Sequence, residues 1–288
     1  MNYNQLKSEI FYYFHNNLRQ ISNDIYNSHI DRNKKSTQIN NAIDNVKINL
    51  SSELLVRYPN VNRSKLLMTL QYCYSVISLE YRNMVWPYEY MAFSRRNGEL
   101  WERFCKSAWD NPQLPSLYRI NAPSFNDVRS NFRNRIISYT NGNPNQGYII
   151  EDIDSIFELV GEINMIEDEM FNLNGNNYII DFKSGFGSNE KGNMLRLIAV
   201  GRAYKHWDPN VSLLFLVRQN ENNNYLETIR RIGLWDVRCG DAAYNRIDEL
   251  TNAGICEIRR EVINFRNDLS PAFWSYLTTA NLTGYLNW

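Results

Sequence analysis

The chain has 288 residues, of which 43% are hydrophobic and 22% are charged, a balance typical of globular proteins. The chain has 31 lysine and arginine residues and 31 aspartate and glutamate residues, so its formal net charge is zero. A neutral chain is not expected to coat nucleic acid through bulk positive charge, but it can still carry a local basic cleft. No apolar run approaches the length of a membrane span, and no cysteine pair has zinc-ligand spacing. We therefore expect a cytoplasmic protein without membrane contacts, structural zinc or disulfide bonds.

Residues 1–90 are predicted to form a helical N-terminal region. Apolar residues recur at helical spacing within 3–26 and again within 39–55. Pro59 ends the second helix, and Ser64 is placed to cap a third.

The remaining residues, 91–288, are predicted to form one α/β domain. A helical pattern over 149–166 precedes a β-hairpin and a further helix, and the apolar run 211–217 is typical of a buried central strand. Residues 225–232 suit either a strand or a short helix, and the aromatic tail packs on the core or on a second subunit. This order of elements predicts a mixed central sheet flanked by helices.

The predicted hairpin carries Asp181 and Lys183 on its second strand. Side chains two residues apart on a strand share a face, so these two point the same way. If Asn174-Gly175 forms a two-residue turn, the numbers of paired residues sum to 349, which sets Asp168 opposite Asp181.

Carboxylates this close repel each other unless positive charge lies between them. Lys183 supplies one charge, and a hard divalent cation with oxygen ligands would supply the rest. A longer turn would move the first acid from Asp168 to Glu167 or Glu169, while Asp181 and Lys183 would stay.

Residues 111–147 are rich in arginine, serine and asparagine and contain few acids, which favours contacts with phosphates or bases. The same composition also suits a solvated amphipathic helix followed by a loop. The candidate DNA-contacting residues are Arg119, Arg129, Arg133 and Arg135 in this segment, and Arg218 and Gln219 after the apolar run.

The run Ile179-Ile180-Asp181-Phe182-Lys183, with an acid on the paired strand, resembles the core motif of PD-(D/E)XK nucleases. The run Asn97-Gly98-Glu99-Leu100-Trp101-Glu102 resembles the acidic helix that precedes this core in many type II restriction endonucleases of that superfamily. The resemblance covers roughly residues 55–235. Because the first acid is not in a Pro-Asp pair, Asp168 is assigned by hairpin geometry. Glu102 is favoured as the upstream acid by the motif, and Glu162 by its nearness in sequence.

The resemblance implies a restriction-endonuclease-like core and Mg²⁺-dependent hydrolysis of double-stranded DNA at a short specific sequence, leaving 5′-phosphates. Asp168 and Asp181 would bind Mg²⁺, which neutralises developing charge and lowers the pKa of a bound water. Lys183 would orient or help deprotonate that water, and Glu102 would hold a further water or a second ion. A homodimer with one active site per strand follows for a palindromic site. A cognate DNA methyltransferase is the implied companion of such an enzyme.

Two other functions fit the same residues. One is a repair or recombination nuclease with the same core. The other is a non-catalytic DNA-binding protein in which the acidic hairpin is a solvated cluster of ion pairs.

Overall fold

The computed structural model describes residues 2–185, 191–220 and 224–288. The chain divides into two compact units, one formed by Met1–Leu114 with Tyr244–Trp288 and the other by Pro115–Ala243. This division differs from the predicted boundary at residue 90. The fourth helix and the C-terminal tail belong to the first unit because they pack against the N-terminal helices. Packing, not position in the chain, defines a compact unit.

The first unit begins with helices that pack on one another: α1 (Tyr3–Asn27), α2 (Arg32–Arg57), α3 (Arg63–Val85) and α4 (Tyr90–Asp110). The predicted helical N-terminal region is confirmed. The predicted cap at Ser64 is wrong, because Asn62 is the N-cap and its side chain accepts a hydrogen bond of 3.1 Å from the backbone N–H of Lys65. Ser64 lies inside the helix, is buried, and donates to the carbonyl of Asn111.

The second unit contains the sheet and its flanking helices. Its elements are β1 (Leu117–Arg119), α5 (Phe125–Tyr139), α6 (Gln146–Val160), β2 (Glu169–Leu173), β3 (Asn176–Lys183), α7 (Lys191–Trp207), β4 (Ser212–Val217), α8 (Asn224–Ile232) and β5 (Asp236–Cys239). Residues 225–232 are thus helical. The helix predicted over 149–166 ends earlier, at Val160, because Gly161 takes a positive φ of 72° that ends the helix.

Within the described residues the sheet has five strands in the order β1-β2-β3-β4-β5. The first three strands pair antiparallel, whereas β3, β4 and β5 pair parallel, so the predicted mixed sheet flanked by helices is confirmed. Helix α7 connects β3 to β4, and α8 lies between β4 and β5, as parallel neighbours require. The β4 residues that follow Ser212 are all buried.

Helix α7 packs on the sheet face that carries Ile179 and Phe215. Its inward residues are Leu197, Val200, Ala203 and Tyr204. Because side chains alternate along a strand, Asp181 and Lys183 lie on this same face of β3, the one that α7 covers.

The last elements of the chain belong to the first unit, apart from the start of α9. They are α9 (Asp241–Thr251), α10 (Ile255–Glu261), α11 (Phe265–Asp268), α12 (Pro271–Thr279) and a 3-10 helix at Thr283–Leu286. The aromatic tail packs on the core of its own chain: the Trp288 ring contacts those of Phe104 and Phe265, and its Nε1 donates to Asn97 Oδ1 over 3.0 Å. In the described parts of the chain, no helix is long and apolar enough to cross a membrane.

Candidate functional site

The hairpin turn has the two residues that the sequence predicts. Asn174 and Gly175 both take positive φ, 53° and 86°, as a type I′ turn requires. The pairs run from Leu173 with Asn176 to Glu169 with Ile180, so paired numbers sum to 349 and the predicted register is confirmed. Pairing stops at Glu169, and the residues before it leave the ladder.

The three consecutive acids Glu167, Asp168 and Glu169, the last of which begins β2, have three different partners. Glu167 forms a side-chain hydrogen bond with Asp181. Asp168 Oδ2 accepts a 2.7 Å hydrogen bond from the backbone N–H of Phe182. Glu169 binds Arg119 through two hydrogen bonds of 2.6 and 2.9 Å. Among the alternatives left open by the sequence, Glu167 is therefore the acid that is hydrogen-bonded to Asp181, although the turn is short.

The irregular segment before β2 explains this outcome. Because β2 begins only at Glu169, Asp168 does not continue the ladder, and its carboxylate turns to the backbone of β3. The Tyr204 hydroxyl donates to the carbonyl of Met165 and fixes the segment from the α7 side. Glu167 is thereby held inward, with a side chain only 1% exposed.

Arg196 completes the cluster, and sequence reasoning missed it. Its Nη1 lies 2.8 Å from Glu167 Oε1, and its Nη2 donates to Asp181 Oδ2. The connection between parallel strands gives the only sequence signal, since a crossover helix must cover a face of the sheet. A basic residue early in the helix that follows Asp181 and Lys183 could therefore have been predicted to contact these acids.

The buried surroundings of Glu167 and Asp181 favour the retention of a proton by this pair of acids. Burial, and then the hydrogen bond and repulsion from Asp181, raise the pKa of Glu167 to about 9. Burial also raises the pKa of Asp181, and Arg196 opposes the shift in both acids. We interpret the cluster at neutral pH as a protonated Glu167 that donates to the Asp181 carboxylate.

Lys183 ends β3, on the same face as Asp181 and partly exposed. Its carbonyl accepts a 2.9 Å hydrogen bond from the backbone N–H of Arg218, which ties the ends of β3 and β4 together. The Arg218 side chain donates to Ser184 Oγ over 3.0 Å and is buried, which leaves little of its surface for a base contact in this conformation.

The donor chemistry of the carboxyl pair suits Mg²⁺. Two neighbouring buried carboxyl groups offer hard oxygen ligands, and their charge is compensated by a proton and a guanidinium that a divalent cation could replace. In the described residues no group of three or more His, Cys, Asp or Glu side chains is arranged to hold a metal ion. A cation at Glu167 and Asp181 would therefore complete its coordination with other oxygens such as water.

The two candidates for the upstream acid lie in different units. Glu102 lies on α4 in the first unit and pairs with Lys106 over 2.7 Å, with a side chain 33% exposed. Glu162 is exposed in the segment after α6, in the same unit as Asp181.

The arginines nominated for DNA contacts each have a partner in the second unit. Arg119 binds Glu169, Arg129 lies 5.1 Å from the centre of the Phe157 ring, Arg133 pairs with Asp154 over 3.2 Å, and Arg135 contacts His206 Nδ1 over 2.7 Å. Three of them lie on α5, whose N-terminus is closed by a capping box of Ser124 and Asp127. Gln219 lies against Gly185, where an added Cβ would clash with its Oε1.

Comparisons with protein-family models, with curated proteins and with solved structures found no match. Function is therefore inferred from the residues and geometry of this chain.

The buried acid predicts a pH dependence of stability. Because the pKa of Glu167 rises from 4.5 to about 9 on folding, the folded protein keeps a proton that the unfolded chain has lost. The free energy of unfolding should therefore fall as the pH rises between those values, by an amount on the order of several kcal/mol in the absence of metal. Glu167→Gln should flatten this decline in urea unfolding measured with a chelator present.

The control is Glu158→Gln on α6, an exposed residue of the same unit. It should retain the decline of the wild type. An equally steep decline in the Glu167→Gln variant would show that another group binds the proton.

Proposed function

We propose that the protein is a Mg²⁺-dependent endonuclease of the PD-(D/E)XK type that hydrolyses double-stranded DNA at a short specific sequence, as type II restriction enzymes do. The carrying observation is the pair of buried carboxyl groups of Glu167 and Asp181 at the open end of the hairpin, with Lys183 on the same strand face. Perturbed acids of this kind cluster at functional sites.

Burial argues against the non-catalytic alternative. The Glu167 and Asp181 side chains are 1% and 6% exposed, whereas a solvated ion-pair cluster would lie in water. Burying two acids together costs free energy, so a functional role explains their position better than stability does. The mixed sheet flanked by helices supports the restriction-endonuclease-like core that the motif implies.

Within this proposal, Glu167 and Asp181 are the residues that hold Mg²⁺, which when bound stabilises charge on the phosphate and acidifies a water. Glu167 takes the role that the sequence alone assigns to Asp168. Asp168 instead positions the end of β3 through the backbone N–H of Phe182. Lys183 orients the attacking water and stabilises the developing negative charge on the phosphate.

DNA is the proposed partner, and the proposed contacts come from the arginines of α5 and from Gln219. A palindromic target would be cut by a two-fold homodimer with one site per strand. A cognate methyltransferase is the proposed companion.

Digestion of a sequenced plasmid with Mg²⁺, followed by run-off sequencing of the ends, tests the proposal. Discrete bands with 5′-phosphate ends at one sequence are expected. A smear or structure-dependent nicking would favour a repair or recombination nuclease instead. Absence of cleavage, with no effect of Mg²⁺ on thermal stability or DNA affinity, would contradict both nuclease functions.

A pair of amide variants distinguishes the two candidates for the first metal ligand. Glu167→Gln should lower the rate of plasmid cleavage by about 10²-fold, because a neutral amide binds Mg²⁺ poorly. Asp168→Asn should stay within about tenfold of wild type, since its amide oxygen can still accept from Phe182 and a single hydrogen bond is worth about 1 kcal/mol. The reverse ranking would return the ligand role to Asp168.

A further inference from the structure

Arg196 puts positive charge where the proposed metal would sit. Two nitrogens of its guanidinium contact Glu167 and Asp181, with Nη1 at 2.8 Å from Glu167 Oε1. These are the two acids that a divalent cation would bind. A guanidinium and a divalent cation cannot share such a poorly hydrated position, because like charges repel strongly there.

The Arg196 side chain can also move away from the two acids without exposing the hydrophobic core. Its side chain is 42% exposed, in contrast to the buried acids that it binds. Its Nε makes a long contact of 3.4 Å, to Asn193 Oδ1. A long side chain attached at the surface of α7 can rotate its charged end outward while its stem stays in place.

The released group would match a phosphate. A guanidinium presents a planar fork of donors that fits two oxygens of a phosphate as well as it fits carboxylates. In the metal-free site the guanidinium of Arg196 offsets negative charge on the two acids. A divalent cation brings two positive charges, so the charge of Arg196 becomes available to an incoming anion.

We propose that Arg196 is a placeholder for the metal. It binds Glu167 and Asp181 in the metal-free protein, yields both to a divalent cation, and then binds the phosphate of the DNA strand to be cut. This inference rests on the proposed function, since it requires the metal at these two acids. It assigns Arg196 a role in metal exchange as well as in substrate binding.

Calcium titration by calorimetry tests the exchange without DNA cleavage. At mildly alkaline pH, Arg196→Met should bind Ca²⁺ about tenfold more tightly than wild type, because a competing cation has gone. The matched control is Arg202→Met, an exposed arginine on the same helix, which should bind Ca²⁺ as wild type does. Asp181→Asn should abolish binding and so locate the ion.

DNA affinity tests the second step. With saturating Ca²⁺ and fragments of a sequenced plasmid, Arg196→Met should bind DNA about tenfold more weakly, and Arg202→Met close to wild type. Arg196→Lys keeps the charge but loses the fork, so intermediate values are expected in both assays. If thermal unfolding shows that Arg196→Met is not folded, Arg196→Lys and Arg196→Gln replace it in both assays.

The outcomes separate this inference from the proposed function. Wild-type Ca²⁺ binding that is lost in Asp181→Asn but unchanged or weaker in Arg196→Met would overturn the placeholder and leave the metal site standing. Absence of Ca²⁺ binding in wild type would overturn the metal site and the placeholder together. Tighter Ca²⁺ binding with unchanged DNA affinity would overturn the phosphate contact.

Discussion

Asp181→Asn is expected to lower the rate of Mg²⁺-dependent DNA cleavage by on the order of 10³-fold. Asp181 is hydrogen-bonded to Glu167 and to Arg196, so its replacement by an amide removes the charge that any bound cation would need. DNA binding should survive, because the change does not remove a basic side chain. The measurement is single-turnover cleavage of plasmid alongside DNA affinity in Ca²⁺.

The matched control is Asp236→Asn, which lies in the same sheet and pairs with Arg238 at the partly exposed edge strand β5. It should cleave at close to the wild-type rate. Lys183→Ala, like Asp181→Asn, should lose Mg²⁺-dependent cleavage. Full cleavage by the Lys183→Ala protein would remove the nuclease assignment, since no other described strand carries this pattern of an acid and a lysine beside the carboxyl pair.

Asp268→Ala is expected to destabilise the first unit by about 3–5 kcal/mol, as the loss of one partner from a buried ion pair does. Asp268 lies 2.6 Å from Lys7 Nζ, and each side chain is 10% exposed. The Tyr72 hydroxyl also donates to Asp268, over 2.7 Å. Truncation would leave Lys7 charged in a poorly hydrated place, with the Val262 carbonyl as its remaining acceptor among these contacts. Urea unfolding measures the loss.

Two comparisons test whether burial causes the effect. Glu261→Ala removes an exposed ion pair with Arg260 from the same unit and should leave the stability nearly unchanged. The double variant with Lys7→Met and Asp268→Leu should recover much of the stability, because an apolar pair leaves no uncompensated charge. Equal losses in the single and double variants would indicate that packing volume, not charge, sets the cost.

Sequence patterns predicted those features that depend on neighbouring residues. The turn at Asn174 and Gly175 requires positive φ at both positions, and that local chemistry set the register of the whole hairpin. The continuous apolar run ending at Val217 identified a strand with both faces covered. Helical spacing likewise located the N-terminal helices, although their caps were harder to assign than their existence.

What the sequence determined by itself is a mixed α/β sheet, a hairpin whose register follows if Asn174-Gly175 is a two-residue turn, and Asp181 beside Lys183 on one strand face. Only the tertiary structure decided that Glu167, rather than Asp168, is hydrogen-bonded to Asp181, because that choice depends on how an irregular segment is held by Tyr204 from another helix. The same is true of Arg196, which reaches the acids through the packing of α7 on the sheet. The raised pKa of Glu167 comes from burial, and burial is a property of the folded chain that no local pattern contains.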